Sequence, residues 1–189
     1  MANRSATQIV TGTVRLSYLN VFKPRAMQDG QDPKYSACLL IPKSDKATVK
    51  AIKDACEAAR LASAATFGGK VPDKLRLPIH DGDGEMPNGG DYGPEAKGMY
   101  VLNCSSRQQP GLVDRQLNPI LDQTALYSGC WGRVDLNFFA YNTSGNKGIG
   151  AGLNNIQKVR DDEALGGKQR AEDVFSAIED EDDDDGLGF

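Results

Sequence analysis

The sequence predicts a mainly β fold, a barrel or sandwich carrying one inserted helix. Three observations support this. Several short runs alternate apolar and polar residues at period two, a single stretch near residues 44–66 switches to helical spacing, and residues 68–98 are dominated by Gly, Pro and Asp. Many strands of uneven length with one helix fit a barrel or sandwich better than a doubly wound sheet.

Each element follows from its own residues. Over residues 8–22, Val10, Val14, Leu16 and Tyr18 fall on one face at period two, the signature of a half-buried strand. Pro24, Gly30 and Pro33 make residues 23–33 a loop. Lys34 to Ile41 is apolar or small on both faces, so it is expected to be a central strand. Ser44 or Asp45 can cap a helix, and Val49, Ile52, Cys56 and Ala59 follow on one face. Eight alanines between 47 and 65 favour that helix, which should end near Thr66, before Gly68 and Gly69. Lys43, Lys46, Lys50 and Lys53 are expected on its wet face.

A loop as long as residues 68–98 is uncommon in a compact domain and is often functional. Gly98 to Ser105 reads as a strand with Tyr100, Leu102 and Cys104 on one face, and a short strand can follow near 111–115. Residues 125–142 give the strongest β pattern. Gly145-Asn146-Lys147-Gly148 reads as a turn, and residues 148–159 as a returning strand. Gly166-Gly167 opens a tail in which 171–178 could form a short amphipathic turn. Glu179 to Asp185 is seven acids in a row, which will not fold alone.

Composition narrows the function classes. The net charge of −4 hides an asymmetry. The last eighteen residues, 172–189, hold nine acids and no Lys or Arg, so the rest of the chain has 22 basic against 17 acidic residues, a net of +5. A basic body with an acidic tail is a cue for a nucleic-acid binder that carries its own competitor. No apolar run is long enough to span a membrane, and no apolar segment follows Met1–Ser5, so a cytoplasmic protein is expected. Cys38, Cys56, Cys104 and Cys130 form no CxxC pair and His80 is the single histidine, so buried thiols are expected rather than a metal site.

The candidate interface lies on the segment 131–141. Val134, Leu136, Phe138 and Ala140 take one face as core, and Trp131, Arg133, Asp135, Asn137, Phe139 and Tyr141 take the other. Flat aromatic faces accept unstacked bases while cations follow phosphates, so the second face suits a single strand of nucleic acid. Basic residues near aromatics extend that reading. Lys23, Arg25 and Lys34 lie between Phe22 and Tyr35, with Arg76, Arg107 and Lys147 from elsewhere. Asp182, Asp183, Asp184 and Asp185 imitate a polyanion, and Phe189 offers an apolar anchor beside a carboxylate to a protein partner.

Other motifs point elsewhere. Asp81, Asp83 and Glu85 could suggest a metal-dependent nuclease, the alternative from the enzyme class. An EF-hand counted from Asp81 fails, since Met86 and Tyr92 occupy the positions that need Gly and Glu. An Asp-Gly turn accounts for the segment more simply. Gly148-Ile149-Gly150-Ala151-Gly152 lacks the spacing and the strand-to-helix setting of a dinucleotide fingerprint, and glycines entering a barrel strand explain it better. A third possibility is an acidic interaction module that never touches nucleic acid.

Seven fragments in order resemble a phage-encoded single-stranded DNA-binding protein family from about residue 8 to residue 168. They are Val21-Phe22-Lys23-Pro24, Pro33-Lys34-Tyr35-Ser36-Ala37, Ile41-Pro42-Lys43-Ser44-Asp45, His80-Asp81-Gly82-Asp83, Tyr127-Ser128-Gly129-Cys130, Asn137-Phe138-Phe139-Ala140-Tyr141, and Asn146-Lys147-Gly148-Ile149 with Gly152-Leu153-Asn154-Asn155. The resemblance implies an OB-fold-like five-stranded barrel with one α-helix inserted after the second strand and a long loop. It implies a domain over 1–168 and a disordered acidic C-terminal tail over 169–189. It further implies no enzymatic activity, no cofactor, and protection of single strands in phage replication or recombination. The setting would be the cytoplasm of an infected bacterial host, and the protein a monomer or weak homodimer. The tail resembles acidic, Phe-ended tails that recruit replication proteins and compete with DNA.

Overall fold

The computed structural model describes residues 4–166. The strands are β1 (Gln8–Val10), β2 (Val14–Arg25), β3 (Lys34–Pro42), β4 (Ile79–Asp81), β5 (Met99–Ser106), β6 (Gly111–Val113), β7 (Trp131–Thr143) and β8 (Asn146–Arg160), with one α-helix, α1 (Lys46–Leu61). Hydrogen-bonded neighbours run β2-β3-β5-β8-β7, and β7 pairs back with β2, so five strands close into a ring. β1 adds to β7, β4 to β5 and β6 to β8. The mainly β expectation with one helix holds; three short strands accompany the five, and β6 falls on the short strand expected near 111–115. The helix follows β3, the second strand of the ring.

Strand alternation builds the core. Val14, Leu16, Leu39, Ile41, Leu102, Val134, Leu136, Phe138, Leu153 and Ile156 meet inside the ring with almost no exposure. Helix α1 presents Val49, Ile52, Ala55, Cys56 and Ala59 to that core and packs against β1, β7 and β8. Its start is fixed by Asp45, whose carboxylate accepts from the Thr48 amide at 3.1 Å.

Several boundaries differ from the sequence reading, each for a local reason. The helix ends at Leu61, where the Ser63 amide and hydroxyl both donate to the Arg60 carbonyl, at 3.1 and 2.5 Å, and the chain tightens into a 3-10 turn over Ala64–Phe67 before Gly68. Lys43 precedes the helix and belongs to another contact. β2 runs on through Pro24 to Arg25, where a loop was expected. β7 begins at Trp131, not 125. The turn to β8 is Ser144-Gly145, both at positive φ, so β8 begins at Asn146. The long loop 68–98 is tied down by β4 and by the Ile149 amide, which donates to the Arg76 carbonyl at 2.8 Å.

Tyr18 leaves the face expected of it. The β2–β3 register jumps between Ser17↔Cys38 and Asn20↔Ser36, three residues against two, which marks a β-bulge. The bulge turns Tyr18 out of the core and leaves it 73% exposed.

Candidate nucleic-acid interface

The outer face of the β2–β3–β5 sheet splits into two halves. Toward one end, Leu40 and Val101 are covered by Ala96, Tyr92, Met99 and Leu165. Toward the other, the face is open and floored by small polar residues. Register aligns Asn20, Ser36, Ser105, Gly152 and Asn137 in one row across β2, β3, β5, β8 and β7. At about 4.8 Å per strand, that row spans roughly 19 Å.

Two concavities lie along it and share Lys34, Asn103 and Ser105. The first is lined by Tyr18, Asn20, Arg25, Met27, Asp32 and Arg107, among others. The second is lined by Arg76, Leu77, His80, Phe139, Tyr141 and Gly150. Together they form one groove crossing the strands.

The β7 rings lie across this groove because β8 makes room for them. Tyr141 stands opposite Gly148, Phe139 opposite Gly150, and Asn137 opposite Gly152. A Cβ on Gly150 would sit 2.8 Å from two carbons of the Phe139 ring, and one on Gly148 would sit 2.7 Å from the Tyr141 hydroxyl. A Cβ on Gly152 would meet the Asn137 carboxamide. The alternating glycines therefore let these side chains lie down on β8, and Phe139 keeps 46% of its surface exposed. This gives the glycine run a physical role that strand entry alone did not.

Charge in the groove is arranged for an anion. Arg25 and Lys34 are direct cross-strand partners, a pairing of like charges that destabilises a sheet when nothing neutralises it. Among the described residues, neither they nor Arg76 nor Arg107 has a carboxylate partner, whereas Arg15, Lys43, Arg60, Lys158 and Arg160 are all ion-paired. Burial, with the Arg76 charge second, holds the His80 imidazole below its usual pKa. The Cys38 thiol on the groove floor is pushed up to about 12 by burial, so it is not a nucleophile at neutral pH.

Six of the residues singled out from sequence thus meet: Arg25, Lys34, Arg76, Arg107, Phe139 and Tyr141. Others do not. Trp131 begins β7, eight residues from Phe139 and about 26 Å away along the strand. Its indole N–H donates to Asp162 at 2.7 Å, and the Arg160 guanidinium covers its ring at 4.4 Å. Sharing a face of a long strand does not mean sharing a site, and Trp131 anchors the segment after β8 instead. Arg133 donates to the Thr11 carbonyl at 3.2 Å. Phe22 packs against the core, and strand alternation places Tyr35 on the core side of β3. Lys147 lies over the Phe67 ring at 5.8 Å, and Lys23 is exposed beyond the groove lining. Asp182 to Asp185 and Phe189 lie outside the described residues.

Sequence reasoning missed Tyr18, Met27, Asn103 and His80 as groove residues. Nothing in the sequence marks the bulge that exposes Tyr18, and Asn103 becomes visible only through its register with Cys38.

The acids suggested for metal-dependent chemistry are engaged otherwise. Lys43 donates to Asp81 at 2.5 Å and to Asp83 at 2.6 Å. Asp81 also accepts from the Asp83 amide, and Asp83 from the Gly98 amide. Those bonds hold both carboxyls below their ordinary range. Among the described residues no three His, Cys, Asp or Glu side chains are grouped to hold a metal.

Comparison with known proteins gives a consistent picture. The family described as Enterobacter phage Enc34, ssDNA-binding protein, matches residues 7–187. The structure is similar to the single-stranded DNA-binding protein from bacteriophage Enc34 in complex with ssDNA, with a TM-score of 0.73 and 28% identity, covering 86% of this chain and 91% of that one. Protein p50 of Acyrthosiphon pisum secondary endosymbiont phage 1 is 29% identical over 170 residues, 85% of this chain and 87% of its own. The fold is also that of gp2.5, a single-stranded DNA binding protein encoded by bacteriophage T7, at a TM-score of 0.57 and 16% identity over 90% of this chain and 98% of that one.

Proposed function

This chain belongs to the family of the Enterobacter phage Enc34 ssDNA-binding protein, and on that premise we propose that it binds single-stranded DNA in the groove described above. It acts as a binding protein, not an enzyme. Bases stack on Phe139 and Tyr141, and phosphates run past Arg25, Lys34, Arg76 and Arg107. The observation that carries the reading is the coincidence, in one groove on a member of this family, of cations without a carboxylate partner among the described residues, the exposed Phe139 ring and the half-buried Tyr141 ring. Affinity falls with salt at a slope of about −0.7 per phosphate neutralised, and base preference is slight. Protection of single strands during phage replication or recombination, in the host cytoplasm, is the role such binding would serve.

The acidic tail is read as a competitor in cis and a docking peptide for replication or recombination proteins. The position of its root supports the first part. Leu165 packs against the cluster formed by Cys38, Leu40, Ala96 and Val101, and Cys38 also lines the groove. The chain therefore leaves the described fold beside the groove. Glu179 follows Gly166 by thirteen residues, a maximum reach of about 45 Å, more than twice the length of the row.

Titration of single-stranded oligonucleotides with the full chain and with a chain lacking 179–189 tests both statements. The expected result is salt-sensitive binding that tightens on truncation. No binding by either protein contradicts the groove, and unchanged or weaker binding after truncation contradicts the competitor role.

A further inference from the structure

We propose that Tyr18 is a third stacking ring of this groove, at the end opposite Phe139 and Tyr141, and that the bulge in β2 exists to aim it there. The proposal rests on the single-strand reading above. Period two would bury Tyr18 beside Val14 and Leu16. The extra residue between the Ser17↔Cys38 and Asn20↔Ser36 pairs turns it outward instead. Its φ is +45°, a left-handed conformation that a bulky residue rarely adopts. Strained backbone of this kind persists where its surroundings hold it, and it clusters at functional sites.

The surroundings do hold it. The Asn20 carboxamide donates to the Tyr18 carbonyl and to the Ser36 hydroxyl, each at 3.3 Å. The Leu19 amide donates to the Ser128 hydroxyl at 3.3 Å. The ring itself gains little from folding, being 73% exposed, and its hydroxyl has no hydrogen-bond partner among the described residues. A fold that buries Leu16 fully two positions earlier thus sets aside an aromatic side chain, at a backbone cost, on the wall of the groove. A flat π-face is what an unstacked base recognises.

Position adds a second argument. Asn20, two residues on, begins the row that ends on Asn137 of β7, two residues before Phe139. Tyr18 and the β7 rings therefore bracket a span of about 19 Å, five to six nucleotides at B-form rise and fewer in an extended strand. A strand engaging both ends must be long enough to bridge them, while a shorter one engages only one end.

The test is a length series of oligothymidylates titrated with wild type, Tyr18→Ala, Tyr18→Phe and Phe139→Ala, with thermal melts of each protein. Wild-type affinity should climb with length and then level off. Tyr18→Ala should weaken long oligonucleotides by about 5- to 140-fold, leave the shortest nearly unaffected, and keep the wild-type salt slope and melting point. Tyr18→Phe should bind as wild type does, because stacking needs the ring and not the hydroxyl. Wild-type affinity for Tyr18→Ala at every length, with Phe139→Ala weakened, would overturn this proposal alone. Silence of both Ala variants would overturn the groove reading and this proposal with it.

Discussion

Replacing Gly150 with Ala tests whether β8 is built to carry the ring above it. The added Cβ would lie 2.8 Å from two Phe139 ring carbons, where carbon atoms prefer 3.5–4.0 Å, so the ring must lift by about 1 Å. Phe139 is half exposed and free to move, so the cost falls on its orientation and not on the core. Glycine inside a strand is itself unfavourable by about 0.5–1 kcal/mol relative to alanine, so the variant should melt at or slightly above the wild-type temperature. Binding should suffer by up to the worth of one stacked base, roughly 1–3 kcal/mol. Fluorescence anisotropy with a labelled oligonucleotide measures this directly. In a Phe139→Ala background the same glycine substitution should cost nothing more, since no ring remains to be displaced. Full affinity in Gly150→Ala, or an equal loss in both backgrounds, would refute the argument.

Lys34→Gln should lower the salt slope by about 0.7 and weaken every oligonucleotide alike. In the free protein it should be neutral or stabilising by up to about 1 kcal/mol, because it removes the like charge opposite Arg25, and thermal melts at low salt report this. His80 should make binding pH-dependent. Its lowered pKa leaves it neutral at pH 7, and a neighbouring phosphate favours its cation, so affinity should rise between pH 7.5 and 5.5 in wild type and less so in His80→Asn. The free protein should lose stability over the same window, because the unfolded imidazole takes its proton at higher pH than the folded one.

Much of this was legible before the fold was known, and the failures have local causes. Alternation along residues 134–141 separated Phe138 from Phe139 correctly, because side-chain direction in a regular strand depends on parity alone. Trp131 went astray because parity fixes a face and not a position along it, and a thirteen-residue strand outruns the groove. Tyr18 went astray because one bulged residue reverses parity without any mark in the sequence. The cations of the groove come from β2, β3, the loop after the helix and the segment after β5, a convergence that only the closed ring of strands creates. The glycines of β8 were visible as a motif, but their purpose needed the register that sets each one under a β7 side chain.

The most direct test of the account is photocrosslinking of an iodouracil-substituted oligonucleotide to the full-length protein, with the adducts mapped by mass spectrometry. The account predicts adducts on Phe139 and Tyr141 and none on Trp131, whose ring is already covered by Arg160. Adducts confined to Trp131 and its neighbours, with the groove rings untouched, would place the nucleic acid on another surface and contradict it.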